Sequence, residues 1–207
     1  MLLIKLTASQ KIADRWYAEF ADGERIPVNT ALIADFSLFT GRELCCDEYE
    51  ELRKAAKDRT AKTRALRILG TRSMSRHEIT RRLQEKGESE ETAHKTAEWL
   101  ERIGAINDAE YAPMLVRHYA GKGYGKNRIK SELVRRGVPR ELWEEALSEL
   151  PEQDETLDRF IRQKMSGRMP TKADIKRVTD ALIRKGFSWD EIKSALRRYG
   201  ESSEDFE

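Results

Sequence analysis

The chain has 207 residues with 39 Lys or Arg against 37 Asp or Glu, so 37% of its side chains are charged while the formal balance is only +2; an average globular domain is about 25% charged. An apolar share of 39% favours thin seams in small modules over one thick globule, and no run approaches the ~18 uncharged apolar residues of a membrane span. Two adjacent cysteines, Cys45 and Cys46, exclude the disulfide framework of a small secreted domain and the spacing of a four-ligand zinc site.

The opening run from Met1 to Leu6 is too short for a signal peptide and lacks a cleavage site, so a cytoplasmic protein without a membrane partner is expected. Leu2 to Leu6 and Trp16 to Phe20 read as short strands, and Asp22-Gly23 as the turn leading into a third, Arg25 to Val28. Asn29 can cap a short helix through Phe36, Thr40-Gly41 breaks the chain, and a helical pattern starts at Asp47.

From there the strongest feature is internal repetition. Ile79, Leu83, Lys86 and Gly87 align without gaps with Ile129, Leu133, Arg136 and Gly137, and again with Val178, Leu182, Lys185 and Gly186, at offsets of 50 and 49 residues. Each set supplies an apolar pair four apart, a cation in the last helical turn and a glycine for the left-handed position that follows. A further helix begins at once, at Ser89, Pro139 and Ser188, and Ser188 to Glu191 and Ser75 to Glu78 have the form of capping boxes. A preceding helix is expected at about 48–69, 109–120 and 155–165, giving a three-helix unit three times.

The predicted fold is therefore mainly α, with three tandem three-helix repeats in an elongated curved array behind a small β-containing segment. The expected segments are 1–46 (hairpin or sheet plus short helix), 47–106, 107–150 and 151–200 (repeats one to three) and 201–207 (acidic tail). Stacked units of this kind leave one long face open to a partner, which suits binding better than chemistry.

The near-neutral total conceals segregated charge. Arg117, Lys122, Lys126, Arg128, Lys130, Arg135 and Arg136 are opposed only by Glu132, and the stretch 62–86 adds Arg67, Arg72, Arg76, Arg81 and Arg82. Such a face can follow a polyanion or an acidic protein groove. Lys86, Arg136 and Lys185 sit in last helical turns and are assigned mainly to structure, because a cation there stabilises the helix dipole by roughly 0.3 to 1 kcal/mol. Lys126 and Lys130 share one stripe of their helix, and Arg128 and Arg135 another. The loop Gly121 to Gly125 lacks the ending of a phosphate-binding loop and has no strand before it, so it reads as an interhelical turn, with Tyr124 more a packing residue than a stacking one.

Catalytic signals are poor. His77, His94 and His118 are scattered, and no nucleophile elbow, carboxylate cluster or metal-ligand set stands out. A non-enzymatic protein without cofactor or metal is expected.

The residues also resemble the RecX regulatory proteins of bacteria. The resemblance is carried by Ala65 to Leu69, Arg72 to Ser75, Glu78-Ile79, Leu83, Lys86-Gly87, Leu100, Gly104 and Asn107 to Ala112, then by Gly125, Ile129, Leu133 and Gly137. It covers about residues 61 to 200 and includes the three-repeat layout. At Asn107 the family usually shows an acid, but a small capping side chain is kept. The first 60 residues match only as the variable leading segment of some members. The repeat array is expected to be a monomer, and the resemblance implies that it binds the RecA recombinase filament on single-stranded DNA in its groove, restraining ATP hydrolysis, strand exchange and filament growth in recombination and SOS repair. The alternative left open by the residues is a sequence-independent nucleic-acid-binding helical repeat protein acting without RecA.

Overall fold

A computed structural model describes residues 1–165 and 171–204, with side chains through Gly200. Three strands, β1 (Leu3–Ala8), β2 (Trp16–Phe20) and β3 (Arg25–Val28), form an antiparallel sheet in the order β1-β2-β3. The turn joining β2 to β3 falls at Asp22-Gly23: Gly23 takes φ 86° and the Asp22 carboxylate accepts the Glu24 N–H. The helices follow as α1 (Thr30–Asp35), α2 (Cys46–Leu69), α3 (Arg76–Glu85), α4 (Glu90–Arg102), α5 (Asp108–Gly121), α6 (Lys126–Arg135), α7 (Trp143–Ser148, entered through a 3₁₀ turn at Arg140–Leu142), α8 (Asp154–Met165), α9 (Lys172–Lys185) and α10 (Trp189–Glu204). Among the described residues the chain is thus mainly helical, with three helices in each repeat. Among the described residues no helix is long and apolar enough to cross a membrane.

The chain divides into two compact units, Met1–Arg72 with Ile79–Leu100, and Ser73–Glu78 with Glu101–Glu207. In the first, the sheet does not stand apart from the helical region as a boundary at residue 46 would have it. Leu3, Phe20, Ile26 and Val28 share one core with Tyr49, Leu52 and Ala56 of α2. The Tyr49 hydroxyl, 2.8 Å from Asp22 and 2.9 Å from Glu24, and Arg53, 3.1 Å from Glu24, tie the hairpin to that helix. The helix starts one residue before Asp47 because Cys45 serves as its cap. Its sulfur accepts the Glu48 N–H while the Glu48 carboxylate accepts the Cys45 N–H at 2.9 Å, a capping box with thiol in place of hydroxyl.

The second unit contains α5 to α10 around two cores. Tyr111, Leu115, Ile129, Leu133 and Ala146 form one, and Leu157, Ile161, Leu182, Phe187 and Ile192 the other. Asn107 caps α5 by accepting the Ala109 and Glu110 N–H groups, so the departure from an acid there leaves the local structure intact. The acidic segment expected as a separate tail from residue 201 is helical through Glu204, and its last three residues lie outside the described ones.

Each repeat closes its second helix in the same way. Gly87, Gly137 and Gly186 take φ 90°, 65° and 90°. The N–H of the next residue returns to the carbonyl of Leu83, Leu133 or Leu182, and the glycine's own N–H to that of Gln84, Val134 or Ile183. In the second unit these turns act as sockets. The start of α3 seats on the Gly137 turn: Ser75 Oγ donates to the Arg136 carbonyl, and Glu78, 6% exposed, pairs with Arg136, 17% exposed, at 2.9 Å. One repeat on, the start of α6 seats on the Gly186 turn, with Gly125 N–H donating to Lys185 O at 2.9 Å and Asn127 N–H to Gly186 O at 3.0 Å. Positions 75 and 125 are equivalent in the repeat, as are 137 and 186, so the sequence periodicity encodes the joint as well as the helices.

Candidate functional site

The joint fixes the beginning of α6, the most basic helix, and the sequence then divides its charges between two environments. Ile129 and Leu133 face the core, and Glu132, one residue before Leu133, is drawn in with them to 3% exposure. Its carboxylate accepts from the Tyr119 hydroxyl at 3.1 Å and from Arg135 Nε at 2.8 Å, and lies 3.2 Å from Arg128. Arg128 and Arg135 are therefore drawn toward an internal acid. Burial pushes the Glu132 carboxyl up, but the Arg135 and Tyr119 hydrogen bonds and the two guanidinium charges outweigh it and hold the group below its ordinary value.

A carboxyl with a depressed folded-state pKa contributes stability that is fully present above its unfolded value of about 4.3 and is lost as pH falls through the folded value. Glu132→Gln should lower stability at neutral pH by about 1 to 3 kcal/mol, the usual loss of a charge-assisted hydrogen bond, and should flatten the decline of stability below about pH 4. Urea melts at pH 7 and pH 3 read both effects.

Lys126 and Lys130, on the other stripe, are exposed and make no ion pair among the described residues. With Arg140, Trp143, Leu147 and one carboxylate, Glu144, they line a shallow groove between α6 and α7. The indole N–H of Trp143 donates to Val138 O at 3.0 Å, which fixes the ring, and the Arg140 guanidinium sits 5.8 Å from its centre. Three cations around an anchored aromatic ring can hold phosphates and stack a base or an apolar side chain. Arg140 and Trp143 were not singled out in the sequence. The signal was available, since the Pro139 break followed by a cation and an aromatic three residues later resets the helix and turns both toward α6.

The other sequence-predicted cations are more dispersed. Arg117 pairs with Glu149, and Lys122 caps the end of α5 with its ammonium 5.6 Å from the Tyr119 ring. Arg76 pairs with Glu101 at 2.9 Å and Arg81 with Glu85 at 3.4 Å, while Arg72 and Arg82 are also engaged. Arg67 ends α2 without an ion pair among the described residues. Tyr124 is half-buried against the α5–α6 core with Lys185 5.1 Å over its ring, which makes it a packing residue. Arg136, assigned to a helix end from the sequence, is held by the buried Glu78. Burial acts to lower its pKa, but the Glu78 hydrogen bond and charge together with the neighbouring Tyr111 and Tyr119 outweigh that and raise it.

Two family models match the chain, the first three-helix domain of RecX over residues 61–100 and the second over 107–147. A curated relative from Pelodictyon phaeoclathratiforme, named Regulatory protein RecX, is 35% identical over 140 residues, covering 66% of this chain and 87% of its own. The chain belongs to the RecX family. A namesake from Amycolatopsis mediterranei is 30% identical over 162 residues, with 74% and 93% covered, and one from Caldanaerobacter subterraneus is 24% identical across 95% of this chain and 98% of its own. Among solved structures, the crystal structure of a regulatory protein RecX superposes with a TM-score of 0.70 at 24% identity, covering 93% of this chain and 98% of that one. RecX from Lactobacillus salivarius gives 0.63 at 22% identity over 70% and 97%. These likenesses establish the fold. The matched RecX domains contain the end of α2 from residue 61, both glycine turns at 87 and 137, and the Lys126–Lys130 stripe, so the chain is a RecX-type regulatory protein in the segments that carry its candidate cations.

Proposed function

We propose that this RecX-family protein is a non-enzymatic, monomeric, cytoplasmic modulator that binds the RecA filament on single-stranded DNA, lies in its groove, and restrains ATP hydrolysis, strand exchange and filament growth. The observation that carries the reading is the groove of Lys126, Lys130, Arg140 and Trp143 on the middle repeat, inside a segment matched by the RecX family. An aromatic ring among cations that make no ion pair among the described residues offers contacts both to phosphate and to an acidic, partly apolar protein surface.

In a RecA assay driven by single strands, ATP hydrolysis should slow on adding the protein. It should do so well below one copy per recombinase subunit if growing ends are capped, or near stoichiometry if the groove is coated. Unchanged hydrolysis at excess protein, with no binding to filaments, overturns the reading. The same groove favours a second reading, a sequence-independent nucleic-acid binder that needs no RecA. Binding to coated and to naked strands across a salt series separates the two, because affinity driven by phosphates alone falls steeply with salt.

A further inference from the structure

The first unit holds a cavity that the filament reading does not use. Residues 59, 60, 63, 64 and 67 lie on one face of α2, spaced i, i+1, i+4, i+5 and i+8 over two turns. Opposite them stand the loop before β2 and the end of β3, and about 260 Å³ of space, half open to solvent, lies between. Four arginines line it, Arg15, Arg59, Arg64 and Arg67, against a single lining carboxylate, Asp14.

That carboxylate is already committed. Asp14, held in the left-handed region at φ 54°, accepts from the Thr30 N–H at 3.0 Å, the Thr30 hydroxyl at 2.6 Å and Asn29 at 3.3 Å, and so anchors the start of α1. Arg64 is tied to Glu88. Arg15, Arg59 and Arg67 make no ion pair among the described residues, although Arg59 is close enough to Asp14 for its charge to help hold that carboxyl low, and Arg15 lies 5.8 Å from the Tyr17 ring. The shared core of sheet and α2 runs only as far as Ala56, so these guanidinium groups are not needed to seal it. Positive charges gathered about one cavity repel one another, only weakly where Arg59 and Arg67 are exposed to water, and an anion bound among them relieves what repulsion remains.

We propose that this cavity binds a phosphate ester through Arg15, Arg59 and Arg67. The guanidinium fork matches phosphate oxygens in pairs, and Ile12, Pro27 and Val28 supply an apolar wall against which a sugar can rest. The volume admits a phosphate with its sugar, so a strand would enter one nucleotide at a time. The site rests on the nucleic-acid side of the proposed function and adds to it a contact in which Arg15 and Arg59 lie outside both matched family domains while Arg67 falls inside the first. The ester is supplied either by a strand or by a free nucleotide.

The test uses the full chain, a fluorescein-labelled oligothymidylate read by anisotropy over a salt series, and ATP and inorganic phosphate read by calorimetry. The variant is R15Q/R59Q/R67Q, and its control R162Q/K164Q/K193Q removes the same charge from exposed positions of the third repeat. If a strand is the source, the first variant should bind the oligonucleotide at least about tenfold more weakly than the control, with a salt slope shallower by about 2, since each lost phosphate contact on a single strand removes about 0.7. If a free nucleotide is the source, ATP or phosphate binding should be present in the natural chain and the control and lost in the variant. Either result supports the site.

Equal behaviour of variant and control toward all three probes overturns it, as does absence of binding to all three by the natural chain. Thr63→Glu, which places a carboxylate at an exposed position on the cavity wall, is a second route should the triple variant not fold, and the same outcomes apply to it. RecA hydrolysis is measured in parallel. Slowed hydrolysis without pocket-dependent phosphate binding removes this site alone, whereas phosphate binding without any effect on RecA removes the filament reading alone.

Discussion

Gly186→Ala should be the most damaging single-methyl change in the second unit, lowering stability by about 2 to 5 kcal/mol in urea melts. Two separable costs add. At φ 90° an alanine pays the left-handed penalty of roughly 1 to 2 kcal/mol. Its Cβ would also be driven into the backbone of Arg128 at the start of α6, where overpacking costs about 1 to 3 kcal/mol because neither helix end can yield without losing the Gly125 and Asn127 hydrogen bonds. Two companions isolate the parts. Gly87→Ala has the same φ with nothing within 4 Å of the new methyl, so it should show the conformational cost alone. Gly125 is at φ −77°, ordinary for any residue, but its Cβ would lie 2.5 Å from the Gly186 carbonyl, so Gly125→Ala should show the contact cost alone. A Gly186→Ala loss no larger than that of Gly87→Ala would mean that the joint is soft. Because the joint sets where α6 begins, Gly125→Ala should also weaken any binding that depends on Lys126 and Lys130 while the protein remains folded.

The joint also marks how far the sequence could be read. The repeat was legible because Ile79, Ile129 and Val178 recur with their leucines and glycines at near-constant offset, and such periodicity follows directly from helix geometry. That the three turns share a hydrogen-bonding pattern followed from Gly alone. What each turn receives was not legible. Ser75 and Gly125 occupy equivalent positions yet meet their sockets differently, one through a side chain and a buried ion pair, the other backbone to backbone, and only three-dimensional proximity reveals either. Glu132 is a similar case. By spacing it sits beside Leu133 on a charged helix and reads as one solvated acid among cations, whereas burial makes it the centre that gathers Arg128 and Arg135. Two of the arginines of the leading cavity were hidden for the opposite reason. Arg15 and Arg59 are far apart in the chain and lie outside both basic stretches, so nothing in local charge density points to them.

These distinctions change which charges should matter for binding. Reversing Lys126, Lys130 and Arg140 to Glu should weaken binding to RecA-coated single strands by about 100-fold or more at moderate salt, since the change removes three cations and introduces three acids around Trp143. Reversing Arg162, Lys164 and Lys193 alters the net charge equally from exposed positions on α8 and α10, and should cost about tenfold or less, an effect that disappears as salt shortens the reach of charge to about 10 Å at 0.1 M. Arg128 does not belong in the first set despite its place on α6. Glu at 128 would face Glu132, 3% exposed, and unsettle the helix, confusing contact with folding. Arg136 is likewise unusable as a control, because its removal takes a 2.9 Å ion-pair partner from the buried Glu78, at a cost of up to about 3 to 5 kcal/mol. Trp143→Ala should add a loss that persists at high salt, because stacking and apolar contact do not depend on counterions, provided melts show α7 still in place without the Val138 hydrogen bond. If both triple reversals weaken binding alike at every salt concentration, long-range attraction alone explains the affinity. The α6–α7 groove is then not the contact surface.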